Sequence, residues 1–254
     1  MNKLGDLSLQ MMEEMEVQSS VSDLQRTEDW LEKRKGRFTG SKIKDLMNCG
    51  RATSKQSWGE ITKLFDFGAT AERYIYATGK ERITGLRSMN ASSKSMQWGT
   101  DNEPLLVEQL VKDGVITNFQ ELGFEHFGEY KNGGASVDGI CMYKGERVSI
   151  ELKSCVSWDG HYKRMYEGVH DKHDDFWQFQ AEMLATNTNS CLYVVTAPMS
   201  HEVYDIQLIK ASPIHQKQML ERCKIADLAI ELWSELPYKE ALLKACEIYK
   251  PNQD

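Results

Sequence analysis

No two cysteines of this 254-residue chain stand in a CxxC pair; the six (Cys49, Cys141, Cys155, Cys191, Cys223 and Cys246) are widely scattered. That spacing speaks against a zinc or iron–sulphur site and fits reduced thiols in a reducing compartment. Long apolar runs are also missing, so no stretch has the length of a membrane span. The opening residues, MNKLGDLSLQMMEEMEV, lack the basic-then-apolar layout of a signal peptide, and a cytoplasmic location is expected. Internal repeats and low-complexity tracts are absent, which argues against solenoids and tandem arrays. Positive charge is in short supply: 31 Lys and Arg face 38 Asp and Glu, a net −7. As a sum this disfavours a nucleic-acid partner, although what a polyanion meets is the local field of a groove.

What is present is an ordinary globular composition, 41% hydrophobic and 27% charged, long enough to bury one full core. Residues 1–26 are rich in Met and Glu without a clear period and read as an arm, mobile or partner-docking. Thr27 before Glu28 and Asp29 reads as a helix N-cap, and a second helix is expected from Ser41. From Lys55 to about Gly114 the pattern stays helical. Beyond Gly114, VITNFQ, LGFEHF, SVDGICMY and RVSIELKS are β-branched and aromatic with turn residues between them, which predicts strands of one sheet. DDFWQFQAEMLAT reads as a helix, SCLYVVTAP and EVYDIQLI as two more strands, and the tail from Ser212 as helical. The expectation is an α/β (α+β) fold, a mixed central sheet flanked by helices. Its core would cover residues 27–211, with residues 212–254 a helical extension packed on it.

The chemistry concentrates in GGASVDGICMYKGERVSIELKS, residues 133–154. Taken singly, Asp138-Gly139 is a turn dipeptide and Glu151-Leu152-Lys153 a surface strand with an ion pair. Taken together they say more. On an alternating strand Glu151 and Lys153 share one face while Ile150 and Leu152 take the other. Asp138 on the neighbouring strand can lie beside Glu151, and two adjacent carboxylates repel. A divalent cation relieves that repulsion; Mg²⁺ takes hard oxygen ligands and keeps several waters. A lysine two residues on can orient the attacking water or stabilise charge on a phosphate.

This arrangement resembles the PD-(D/E)xK nuclease superfamily, with Val137 where proline is usual. Four further stretches resemble its YqaJ-like, lambda-type alkaline exonuclease branch. TEDWLEKRKGRFTGSKI carries Trp30, Arg34, Gly36, Thr39 and Ser41 at matching spacing. MQWGTDNEP places Glu103, ASVDGI matches the S-P-D-G turn apart from its proline, and FWQFQAEM supplies Gln178, Gln180 and Met183. The likeness spans about Thr27 to Pro198. It implies a restriction-endonuclease-like core in which Asp138, Glu151 and the Leu152 carbonyl hold Mg²⁺, with Mn²⁺ able to substitute. Lys153 would position the hydrolytic water. Glu103 would be a water-mediated ligand or an orienting group, and Gln178, with Gln180 less firmly, would face the same site. Arg34 and Ser41 match positions that bind a 5′-terminal phosphate, a role suited to an arginine fork and a helix start.

Other residues read more plainly. Trp98 and Trp177 are expected in the core. His161, His170 and His173 do not share one helical face and read as loop or surface residues. Lys163 and Arg164 are weaker candidates for phosphate contacts. The resemblance implies an exonuclease that digests one strand of linear double-stranded DNA from its 5′ end. The 3′ single-stranded overhang would go to a phage single-strand annealing protein. It also implies a homotrimeric ring around DNA, in host cytoplasm if phage-encoded and without membrane partners. A PD-(D/E)xK endonuclease or repair nuclease would share the site without needing Arg34 and Ser41. A non-catalytic DNA-binding protein of the same fold would not need Asp138, Glu151 and Lys153 intact.

Overall fold

The computed structural model describes residues 27–88, 94–167, 169, 173 and 175–250. The expected arm over residues 1–26, the side chain of Trp98 and residue His170 lie outside the described residues. Thr27 opens α1 (Glu28–Arg34): its hydroxyl accepts from the Trp30 N–H at 3.1 Å, and Glu28 and Asp29 fill the first turn. There follow β1 (Phe38–Thr39), a 3-10 turn (Gly40–Lys42), two short helices, α2 (Ile43–Leu46) and α3 (Ile61–Leu64), and two long ones, α4 (Ala69–Thr84) and α5 (Lys94–Lys112). The helical reading from Lys55 is therefore too generous. Residues 51–59 form turns, and Gly59 takes φ +125, which no helix accommodates.

The strands do not form one sheet. In chain order they are β2 (Thr117–Glu121), β3 (Phe124–Phe127), β4 (Tyr130–Ser136), β5 (Gly139–Tyr143), β6 (Glu146–Lys153), β7 (Ser190–Thr196) and β8 (Tyr204–Lys210). A small sheet has the order β1-β4-β3 and a larger, mixed sheet the order β2-β5-β6-β7-β8. SVDGICMY, expected as one strand, is cut at Val137-Asp138, where the chain leaves the small sheet for the large one. A second crossing, at Leu122-Gly123, takes the chain the other way. The Val137 N–H donates to the Gly123 carbonyl at 3.3 Å, so the two crossings run side by side. A proline at 137 could not make that bond.

The β5–β6 hairpin turns on Lys144 and Gly145, both at positive φ, as a two-residue hairpin loop of this hand demands. Helices cover both faces of the large sheet. Leu106 and Leu110 of α5 pack with Val148, Ile150, Leu152, Leu192 and Val194 on one face. On the other, Phe179 and Met183 of α7 (Phe176–Thr186) and Met165 of α6 (Trp158–Tyr166) pack with Cys191, Tyr193 and Val195. Strand alternation makes the split: even positions of β6 and β7 go one way and odd positions the other. Glu151 and Lys153 are odd, so they face α7.

The largest core joins the small sheet to α2, α4, α8 (Pro213–Leu232) and α9 (Tyr238–Tyr249). Residues 213–232 are integral to it: Met219, Cys223, Ile225, Ala226 and Ala229 are fully buried. So is Arg222, whose guanidinium meets no carboxylate among the described residues. It donates to the carbonyls of Leu46 and Asn48 at 3.0 Å, of Lys63 at 2.8 Å and of Asp66 at 3.2 Å, and stacks on Phe67 at 4.0 Å. Those carbonyls end α2 and α3, where helices leave acceptors unsatisfied. Burial lowers the Arg222 pKa to about 10, so the group stays charged at neutral pH.

The histidine reading needs one correction. His161 is buried in α6, with its Nε2 3.2 Å from Asp205, because Met165 and His161 form the inward side of that helix. Trp158, Tyr162 and Tyr166, spaced four apart, take the outward side and are exposed. His173 does lie in a loop, accepting the Asp175 N–H at 3.2 Å. Trp177 is buried, edge-on to Trp58.

Candidate active site

Asp138 is the last residue of the Val137-Asp138 crossing, just before β5. Its Oδ2 accepts the Leu152 N–H at 2.8 Å, which sets it beside Glu151. Gly139 lets this happen: a Cβ there would come within 2.5 Å of the Phe119 ring and 2.7 Å of the Gln120 carbonyl. Glu151 is almost fully buried, and one of its oxygens, Oε1, accepts both the Lys153 ammonium and, at 2.8 Å, the Gln178 amide. The other, Oε2, is buried and makes no hydrogen bond to a described residue. Burial raises Asp138 well above the usual carboxylate range, and the charges of Glu151 and Glu103 add to it. Glu103, on the sheet-facing side of α5 one turn before Leu106, is thus drawn into the same field. For Lys153 burial acts downward, but Glu151, Asp175 and Asp138 outweigh it and hold the ammonium above the usual lysine range.

The structure brings Asp138, Glu151, Lys153 and Gln178 together, with the charge of Glu103 acting on Asp138. Gln180 does not join them. Two positions along α7 it turns to the opposite side, donating to the Lys210 carbonyl at 3.2 Å and accepting the Ser212 N–H at 2.8 Å. A step of two residues rotates a helical side chain by about 200°, so the pair could not share one target. Lys163 is exposed and bound to Asp159 at 2.7 Å on its own helix. Arg164 pairs with the buried Asp175, which also accepts the Tyr193 hydroxyl at 2.9 Å. Each of the two basic side chains thus pairs with an acid, Asp159 or Asp175.

Two participants escaped the sequence reading. Glu182 is fully buried one turn beyond Gln178; its Oε1 accepts the same Gln178 amide at 2.7 Å, and its Oε2 has no partner. Burial, reinforced by Glu151, raises its pKa well above the usual range. An i, i+4 acid on an amphipathic helix ordinarily reads as surface, although the buried residues flanking it were a signal. The other is Ser136, which closes β4 just before the crossing. Its hydroxyl accepts from the Trp30 indole at 2.9 Å and from Arg34 at 2.6 Å. Arg34 lies over the Trp30 ring at 4.2 Å and reaches Ser41 at 3.4 Å. Burial depresses its pKa, and among the described residues no acid pairs with it. Two motifs about a hundred residues apart thus meet at one hydroxyl.

The chain matches the YqaJ-like viral recombinase domain over residues 29–189. It belongs to that family. Among solved structures it is similar to the alkaline exonuclease LHK-Exo from Laribacter hongkongensis. That structure has 20% identity and a TM-score of 0.64, covering 87% of this chain and all of that one; LHK-Exo in complex with dAMP gives 0.65. A phage-related exonuclease from Haemophilus somnus 129PT shares 11% identity over 86% of this chain and 96% of its own, with a TM-score of 0.53. No curated protein matches. Membership of the YqaJ-like family makes the chain a nuclease, and the likeness to the solved exonucleases shows its fold. No helix among the described residues is long and apolar enough to cross a membrane.

The donor set suits one class of cation. Among the described residues no three His, Cys, Asp or Glu side chains form a ready metal cage. Two carboxylates, Asp138 and Glu151, the second with its Oε2 unbonded among the described residues, fit a cation such as Mg²⁺, which needs only one or two carboxylates and retains waters.

Proposed function

We propose that this YqaJ-like enzyme is a Mg²⁺-dependent 5′-to-3′ exonuclease acting on linear duplex DNA, with Mn²⁺ able to substitute. It would leave a 3′ overhang for a strand-annealing partner in the cytoplasm of the cell that makes it. The observation that carries this reading is the Arg34–Ser41 pair, tied through Ser136 to the strand end that presents Asp138. Two residues of extended chain span about 6.6 Å, so an end held at Arg34 lies within nucleotide reach of the carboxylates. An endonuclease has no use for that anchor.

Asp138, Glu151 and the Leu152 carbonyl would hold the cation. When bound, it supplies Lewis-acid activation of water and charge stabilisation at the phosphate. The chain does the rest. Lys153, kept charged by three acids, offers N–H donors at the reaction space. Gln178 holds Glu151 from the far side. Arg34, without an acidic partner among the described residues, offers a fork to phosphate oxygens with the Trp30 ring beneath it.

The test is a two-by-two comparison of wild type and Arg34→Ala on linear DNA with 5′ phosphate or 5′ hydroxyl ends. Charge-assisted hydrogen bonds are worth roughly 1.5–3 kcal/mol, so the substitution should cost about ten- to a hundredfold on phosphorylated ends and little on the others. Equal slowing of both substrates makes Arg34 a general backbone contact. Nicking of covalently closed circles by the wild type hands the case to the endonuclease.

A further inference from the structure

Glu182 has no role in the reading above, yet the fold encloses it completely behind the metal-binding pair. A buried carboxyl without a hydrogen-bonding purpose is costly, and its position gives it one. The Gln178 Nε2 lies between two acid oxygens, 2.8 Å from Glu151 and 2.7 Å from Glu182. An amide placed between two carboxyl oxygens must turn its NH₂ toward them, since its own oxygen would repel both. Both Nε2 hydrogens are then committed. The Gln178 Oε1 is left as the end turned away from both acids, on the one partly open side chain among residues 176–180.

With Glu151 alone as acceptor, one hydrogen would be idle and the side chain could swing about the remaining bond. With Glu182 as second acceptor, both the flip and the tilt of the amide are fixed. We infer that Glu182 is a positioning residue for hydrolysis: through Gln178 it holds an acceptor oxygen toward the reaction space and steadies Glu151. Glu182 itself touches neither substrate nor cation. This inference rests on the nuclease reading.

The experiment uses the full chain and a double-mutant cycle of Glu182→Met and Gln178→Ala on linear duplex DNA, with Ca²⁺ calorimetry and thermal melting alongside. Methionine matches the length of glutamate and removes both acceptors. Glu182→Met should lower kcat about tenfold or more with KM for DNA unchanged, whereas Glu182→Gln, which keeps an acceptor oxygen, should recover most of the rate. In the Gln178→Ala background Glu182→Met should cost less than about twofold further, because the residue it acts through is gone. Ca²⁺ affinity should stay within about threefold of wild type, since Glu182 is no ligand.

A wild-type kcat in Glu182→Met overturns the inference. So do full additivity in the cycle and a Ca²⁺ affinity that falls by about tenfold or more, a change of about 1.4 kcal/mol. Inactive wild type would instead defeat the nuclease reading, which keeps the two failures apart. Should Glu182→Met melt before the assay temperature, the Glu182→Gln and Gln178→Ala,Glu182→Gln pair carries the same comparison. Rate loss in Glu182→Gln equal to that of Gln178→Ala would then count against the assignment.

Discussion

At the scale of single residues, the site is a negotiation among like charges. Asp138 and Glu151 lie side by side, Glu103 and Glu182 add to the same field, and Lys153 bonds Glu151 directly. Removing either Asp138 or Glu151 by alanine should abolish cleavage while the protein stays folded, because the carboxylate crowding goes with it. Activity above about a tenth of wild type, a barrier change below roughly 1.4 kcal/mol, would contradict the metal role. Lys153→Ala should also stop turnover yet leave Ca²⁺ binding in place, as an ammonium is no ligand; calorimetry decides. The Glu151–Lys153 pair was legible because strand alternation is strict, and Asp138 because a glycine follows it where only a glycine fits. Glu182 went unread, since an acid four residues beyond Gln178 ordinarily marks a solvated face and only the apolar residues flanking it hinted otherwise.

At the scale of elements, Arg222 acts as a shared cap for α2 and α3 from within α8. Its replacement by methionine leaves several buried carbonyls without donors, at about 1–3 kcal/mol each, so a loss of roughly 3–5 kcal/mol is expected. In a chain of this size that lowers Tm by about 6–20 °C, measured by calorimetry. Arg222→Lys should rescue little, because one ammonium cannot reach carbonyls that a planar fork spans. Sequence reading could not find this either: an arginine in a helix is ordinarily on its wet side. The missed α6 has a similar cause. Its inward side is only His161 and Met165, its outward side three aromatics, and so the usual apolar-in pattern is inverted. By contrast, α1 announced itself through Thr27, and the β5–β6 turn through Lys144-Gly145.

At the scale of the whole molecule, an acidic chain that handles DNA must gather its positive charge locally. A homotrimeric ring would do this, and light scattering should then report three times the 29.1 kDa chain; a monomer at concentrations that sustain cleavage would count against it. The division into two sheets was invisible in sequence, because period-two alternation runs unbroken through Val137. That division also gives Asp138 a mechanical meaning. It sits on a weld between two plates, where adjacent crossings are joined by the bond from the Val137 N–H to the Gly123 carbonyl. Glu151 belongs to the large plate alone, so the gap between the two carboxylates works as a gauge of how the plates are seated. Small amounts of urea that let the small plate shift should therefore silence cleavage while the helical circular dichroism is still native.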